Sequence, residues 1–177
     1  LELAKDGKFY SDEKILIEKA KEGLDVQVMY DNDESIGTLP RKYYKKLEKK
    51  GIKCLAFNKF IPIASVVHNN RDHRKIMVID GDIAFNGGIN LADEYINEKI
   101  KYGHWKDTCV CLQGEAVRTF TAMFLENWNV FRKTDDDYDR FMPKYYENKE
   151  YISDGFVQPF GDGPYPVYDE HVGEGVY

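Results

Sequence analysis

Twice in this chain a helix-forming stretch runs into a glycine and then into a short apolar segment, and this repeated order constrains the fold more than any other feature. The first helix is expected to start with Ser11 or Asp12 as its cap and to run to Glu22, where Gly23 ends it. A strand over 25–30 comes next. A polar loop over 31–40 leads to a second helix near 40–50, closed by Gly51, and a second strand over 53–57. After a loop over 60–72 come two further strands, 74–79 and 83–85, joined by Asp80-Gly81, a pair that favours the tight turn of a hairpin. A strand over 108–113 precedes a long amphipathic helix from Gly114 to Phe131. Val117, Phe120, Phe124 and Trp128 fall at helical spacing along it and are expected to face the core. Strands alternating with helices predict an α/β domain.

The hairpin carries the chemistry. His73 and Lys75 are two residues apart, Asp80 closes the first strand, and Asn86-Gly87-Gly88-Ile89-Asn90 comes after it. This H-x-K-x4-D frame and its glycine-asparagine segment resemble the phospholipase D superfamily. Side chains alternate along a strand, so His73 and Lys75 are expected on one face. An ammonium is a compact cation that can hold a phosphate oxygen, and a neutral imidazole can attack phosphorus and form a covalent intermediate. Displacement at phosphorus depends mainly on positioning and charge stabilisation, so no metal is required. Asn90 is the candidate amide donor to the phosphate, and Gly88 allows a close backbone approach to it. Asp80 is carried with His73 and Lys75 as a catalytic candidate of the motif, although counting by twos puts it on the other face and Asp-Gly is a turn pair.

The resemblance extends further and becomes more specific. Lys19-Ala20-Lys21-Glu22-Gly23-Leu24-Asp25-Val26-Gln27-Val28-Met29-Tyr30-Asp31, Asn70 to Lys75, Gly88 to Tyr95, Gly103-His104-Trp105-Lys106-Asp107-Thr108 and Phe124-Leu125-Glu126-Asn127-Trp128 are similar to segments of bacterial cardiolipin synthases. That similarity implies a phospholipase D-like α-β-α sandwich around a mixed central sheet. It implies an enzyme that moves a phosphatidyl group between two phosphatidylglycerols, releasing glycerol, through a phosphatidyl-histidine. By the family's pattern His73 is the nucleophile or its acid/base counterpart, Lys75 and Asn90 bind phosphate, and Asp107 orients His73. A carboxylate on one ring nitrogen fixes the tautomer and direction of the other. The family carries two such motifs, and one is found here. The chain is therefore expected to be the first half of a longer enzyme, at the bacterial cell membrane through its parent, with a second H-x-K-x4-D half or a symmetric copy as partner. Two other readings stay open: a homodimeric phosphodiesterase or nuclease of the same superfamily, and a half that is inactive alone.

Composition narrows the classes. The net charge of −6 argues against a general polyanion-binding surface, so no nucleic acid partner is expected. The acidity is concentrated in residues 134–177, with 3 basic and 11 acidic groups, while residues 1–133 are near neutral. Residues 1–133 are expected to form the catalytic half-domain, and residues 134–177 a Tyr-, Gly- and Pro-rich linker beginning at Asp135-Asp136-Asp137. No apolar run approaches the ~20 residues needed to cross a bilayer. The longest, 60–67, contains Pro62. Arg71, His73, Arg74 and Lys75 form a local positive cluster suited to an anionic phosphate. Three cysteines do not make a disulfide framework. Cys109 and Cys111 are expected to pack together on one strand face as small apolar groups. With His104 they lack a further ligand at zinc spacing, and no metal or other cofactor is expected.

Overall fold

A computed structural model of the chain describes residues 9–31, 39–57, 73–132, 138–143 and 155–161. The expected loop over 60–72, including Arg71, most of the loop over 31–40 and the acidic run 135–137 lie outside the described residues. The chain divides into two compact units. One comprises residues 1–73 and 88–107, the other residues 74–87 and 108–177.

The first unit begins with α1 (Phe9–Lys21), then β1 (Gln27–Asp31), α2 (Tyr43–Glu48) and β2 (Lys53–Phe57). Both helices stop in the same way. After α1 the Gly23 amide donates to the Ala20 carbonyl and the Leu24 amide to the Lys19 carbonyl. After α2 the Gly51 amide donates to Glu48 and the Ile52 amide to Leu47. Gly23 and Gly51 have φ of +93° and +89°. This pair of bonds around a left-handed residue satisfies the last carbonyls of a helix and turns the chain out of it, and glycine adopts that conformation without a Cβ penalty. The chain is thus delivered twice into an extended segment, and β1 and β2 pair in parallel, Gln27 opposite Lys53 and Asp31 opposite Phe57. A parallel pair needs a crossover connection, and α2 supplies it. Ser11 and Asp12, the expected caps, lie inside α1, which already includes Phe9; capping preference is a weak prior on where a helix begins.

The core of this unit consists of Tyr30, Tyr43, Leu47, Ile52, Cys54 and Ala56, with Leu16, Ile17 and Ala20 of α1 packed against it. Leu47 and Ile52, the residues on either side of the Gly51 turn, are both in it, so the helix stop also closes the core. Burial pushes the Tyr30 hydroxyl up to about 12, and the neighbouring Cys54 adds to this. Glu13 of α1 is buried yet charged. It accepts hydrogen bonds from the Tyr43 hydroxyl at 2.6 Å and from Lys46.

The second unit holds an antiparallel sheet in the order β3-β4-β5, formed by Lys75–Ile79, Ile83–Gly87 and Cys109–Gln113, followed by α3 (Val117–Phe131). Asp80 and Gly81 both have positive φ, +52° and +66°, and the Asp82 amide donates to the Ile79 carbonyl at 3.0 Å. This is the turn geometry that matches strand twist. It sets Ile79 opposite Ile83 and Lys75 opposite Gly87. Ile76, Val78, Ala84 and Leu112 consequently share the face that packs on Val117, Phe120 and Met123 of α3. Val117 and Trp128 are fully buried, and Phe120 and Leu125 nearly so, while Phe124 is half-buried and stacks on Trp128. The hydrophobic face of α3 is therefore core, as its spacing indicates.

Cys109 and Cys111 correct the reading of that strand, because both are exposed. They pair with Gly87 and Phe85, on the face that carries Lys75 and Met77. Leu112, on the opposite face of the same strand, is the β5 residue that reaches the α3 core. A single cysteine, Cys54, is buried.

Glu13 generates a stability prediction. Burial by itself raises its carboxyl, but the hydrogen bonds from Tyr43 and Lys46 and the charge of Lys46 outweigh this and hold it below the ordinary value of 4.5. A group depressed in the folded state stabilises above its unfolded pKa, and that contribution disappears as pH falls through the folded pKa. Denaturant midpoints should therefore fall between pH 6 and about pH 3.5, and Glu13→Gln should flatten that part of the profile while lowering the midpoint at pH 7.

Candidate functional site

The unit boundary runs between His73 and Arg74 and again between Gly87 and Gly88. His73, Gly88, Asn90 and Asp107 thus belong to the first unit, and Lys75 and Asp80 to the second.

In the second unit, β3 begins at Lys75 and ends at Ile79. The x4 of the motif is therefore strand, and its aspartate is turn. Lys75 is half-buried, on the sheet face away from α3, and the Asn86 side chain donates to its carbonyl at 3.2 Å. Asp80 is exposed at the far end of the strand, with a left-handed backbone. At the ~3.4 Å rise per residue of an antiparallel strand, the five steps from Lys75 separate the two residues by about 17 Å. The next residue, Gly81, has no room for a side chain, because a Cβ would collide with the Phe141 carbonyl and Pro143. The 3₁₀ turn Tyr138–Phe141 thus packs on the hairpin tip.

In the first unit, His73 is exposed just ahead of β3. Gly88 and Asp107, nineteen positions apart, come together: the Gly88 amide donates to Asp107 Oδ1 at 3.2 Å. An added Cβ at Gly88 would lie 2.8 Å from Oδ1 and 2.9 Å from Oδ2. Glycine is required here by the close approach of a carboxylate. The second carboxylate oxygen accepts the indole N–H of Trp105 at 3.0 Å.

Asn90 is buried, and its side-chain amide donates to the Tyr95 hydroxyl at 3.1 Å. Tyr95 lies in a 3₁₀ turn, Asp93–Ile96, whose following residue Asn97 has a left-handed φ of 62°. Asn97 then binds the backbone of Trp105 from both sides, accepting its amide at 2.6 Å and donating to its carbonyl at 2.9 Å. The Tyr95 and Trp105 rings meet edge to face, with centroids 4.8 Å apart. A chain of contacts therefore runs from Asn90 through Tyr95 and Trp105 to Asp107 and Gly88. Lys101 pairs with Glu94 at 3.0 Å across the same segment. Burial alone raises the Glu94 carboxyl, but hydrogen bonds from its own backbone and from Lys101 lower it below the ordinary value. Sequence reasoning singles out Asn90, Gly88 and Asp107. It includes Tyr95 and Trp105 only within the segments of resemblance, without a role, and misses Asn97, so the groups that join the site were not assigned. The available signal was an asparagine, a residue that tolerates left-handed backbone, just after a helical turn.

Comparison with known proteins agrees with the motif. The family described as "Cardiolipin synthase, PLD-like domain" matches residues 9–128. The chain belongs to this family. It is 49% identical over 164 residues to an uncharacterized protein of Streptococcus mutans, covering 92% of this chain and 34% of that protein. It is 41% identical over 116 residues to a cardiolipin synthase of Alkalihalophilus pseudofirmus, covering 65% of this chain and 23% of the relative. With cardiolipin synthase 1 of Bacillus cereus the identity is 36% over 157 residues, covering 84% of this chain and 30% of the relative. The chain thus spans about a quarter to a third of the length of these relatives. The helices and the parallel and antiparallel strands form an α/β fold that matches the general architecture of this domain family. Among the described residues no helix is long and apolar enough to cross a membrane.

The steric relation of Gly88 to Asp107 can be checked independently of activity. Gly88→Ala should destabilise the fold by about 1–3 kcal/mol, the usual cost of forcing an atom into occupied space. In an Asp107→Ala background the same substitution should cost less than about 1 kcal/mol, because the obstructing carboxylate is gone. Denaturant unfolding of the four proteins measures the difference.

Proposed function

We propose that this chain is one catalytic half of a phosphatidyltransferase that condenses two phosphatidylglycerols into cardiolipin and releases glycerol. The observation that carries the reading is the His73-x-Lys75-x4-Asp80 frame within the region matched by the cardiolipin synthase family. In the proposed reaction one motif histidine attacks the phosphorus of the first lipid. The bond to glycerol breaks, and the histidine of the other half gives that glycerol its proton. A hydroxyl of the second phosphatidylglycerol then attacks the phosphatidyl-histidine, losing its proton to the same partner, and the first histidine is released. Exchange of base and acid roles between two successive displacements is normal for such chemistry.

His73 is the nucleophile or the acid/base partner in this scheme. Lys75 and Asn90 hold the phosphate oxygens, and Asp107 holds the His73 imidazole. Gly88 contributes through its amide and through the space it leaves. Asp80 acts through the hairpin turn, by fixing the strand that presents Lys75. The second H-x-K-x4-D half comes from the parent chain, and residues 134–177 lead toward it. The phospholipase D-like α-β-α sandwich, the pairing of two motifs and the location of the parent at the bacterial cell membrane belong to the same proposal.

The test is lipid turnover by the full-length parent in phosphatidylglycerol vesicles without added metal, beside its His73→Ala variant. Cardiolipin and glycerol should form with the parent, and turnover should fall at least ~10³-fold in the variant, as for loss of a group in a covalent mechanism, with its thermal midpoint unchanged. Normal turnover by His73→Ala would overturn the assignment. A folded parent that makes no cardiolipin but cleaves soluble diesters would replace phosphatidyl transfer by phosphodiester hydrolysis.

A further inference from the structure

We propose that Trp105 is a positioning residue of this site: its indole N–H and the Gly88 amide together fix the Asp107 carboxylate in the orientation from which it holds the His73 imidazole. The inference rests on the reading that Asp107 orients His73.

Asp107 is exposed. The terminal torsion of an aspartate is broad, so a carboxylate in contact with water has no fixed plane of its own. Two donors on its two oxygens define that plane. Gly88 supplies one, at 3.2 Å to Oδ1, and Trp105 the other, at 3.0 Å to Oδ2. A carboxylate has about four acceptor sites on its two oxygens, so these two bonds do not exhaust its capacity to accept an imidazole N–H. Hydrogen bonds to a carboxylate are the stronger kind, so the two donors hold its plane firmly.

The indole is held independently of Asp107. Asn97 grips the Trp105 backbone through both its amide atoms, at 2.6 and 2.9 Å. The left-handed conformation of Asn97 sets the direction of that grip. Tyr95 packs on the ring edge to face at 4.8 Å, and Tyr102 flanks it at 5.9 Å. The order of dependence is therefore from turn to indole to carboxylate. The same Tyr95 accepts the Asn90 amide, so one aromatic pair links the group proposed to hold phosphate with the group proposed to hold the histidine.

The experiment is steady-state turnover of phosphatidylglycerol vesicles by the full-length parent carrying Trp105→Phe, Asp107→Ala or both. Phenylalanine keeps the ring against Tyr95 and removes the donor. The expected result is a loss of about 10- to 100-fold in kcat, the scale of misplacing a catalytic group by a fraction of an ångström to an ångström, with KM within about threefold of the parent. The double variant should be no slower than Asp107→Ala alone, because the indole acts only through that carboxylate. Replacing Trp105 by 3-benzothienylalanine, which keeps the bicyclic shape and lacks the N–H, should reproduce the loss without disturbing the packing. Multiplying losses in the double variant, an unchanged kcat in Trp105→Phe, or full activity of the benzothienyl variant would overturn the inference while leaving the role of Asp107 intact. An unchanged kcat in Asp107→Ala would overturn both.

Discussion

The backbone at Asp80 and Gly81 sets the register on which the motif strand depends. Two successive residues with positive φ reverse the chain in the sense that matches strand twist, and β4 is then obliged to pair with Lys75 opposite Gly87. Side chains alternate with a period of two, so a slip of one residue would exchange the faces of the whole strand. Lys75 would then turn toward α3, and Ile76 and Val78 would leave the core. The tightness of the turn is reinforced from outside, because the Phe141 carbonyl and Pro143 occupy the space where a Gly81 side chain would go. The spacing between the lysine and the aspartate of the motif is, in physical terms, the length of one strand plus the first residue of its turn.

Glycine does a different job in the first unit. Gly23 and Gly51 each end a helix with the same pair of hydrogen bonds, and each stop leads into a strand of the parallel pair. The helix stops fix where the strands begin, and the apolar residues on both sides of the second stop, Leu47 and Ile52, meet in the core. The buried Glu13 shows what this packing tolerates. A carboxylate can be nearly excluded from water when a hydroxyl and an ammonium are both directed at it.

At Gly88 the missing side chain makes room for a carboxylate rather than for a turn. A hydrogen bond from a backbone amide and one from an indole hold Asp107 at both oxygens. The segment that supplies these donors also holds Asn90 through Tyr95. The physical problem in this segment is to hold a few polar groups still. Short 3₁₀ and left-handed turns, braced by aromatic edges and an asparagine, accomplish this between Gly88 and Asp107.

The sequence by itself determined the features that depend on neighbours a few positions apart. Strands over 53–57 and, within one residue, 108–113, the glycine helix stops, the Asp80-Gly81 turn, the core stripe of α3 and the histidine frame were all legible, because helix period, strand alternation and glycine backbone freedom are local properties. Only the tertiary structure decided which face of β5 is covered. Cys109 and Cys111 point outward because the register with β4 assigns the α3 face to Leu112, and local pattern does not specify that register. It also decided that Glu13 meets Tyr43 thirty positions away, and that Gly88 meets Asp107 at nineteen. A contact between distant residues exists only once the intervening chain has folded, so no local preference encodes it. The Tyr95 and Trp105 rings, ten positions apart, meet edge to face for that reason.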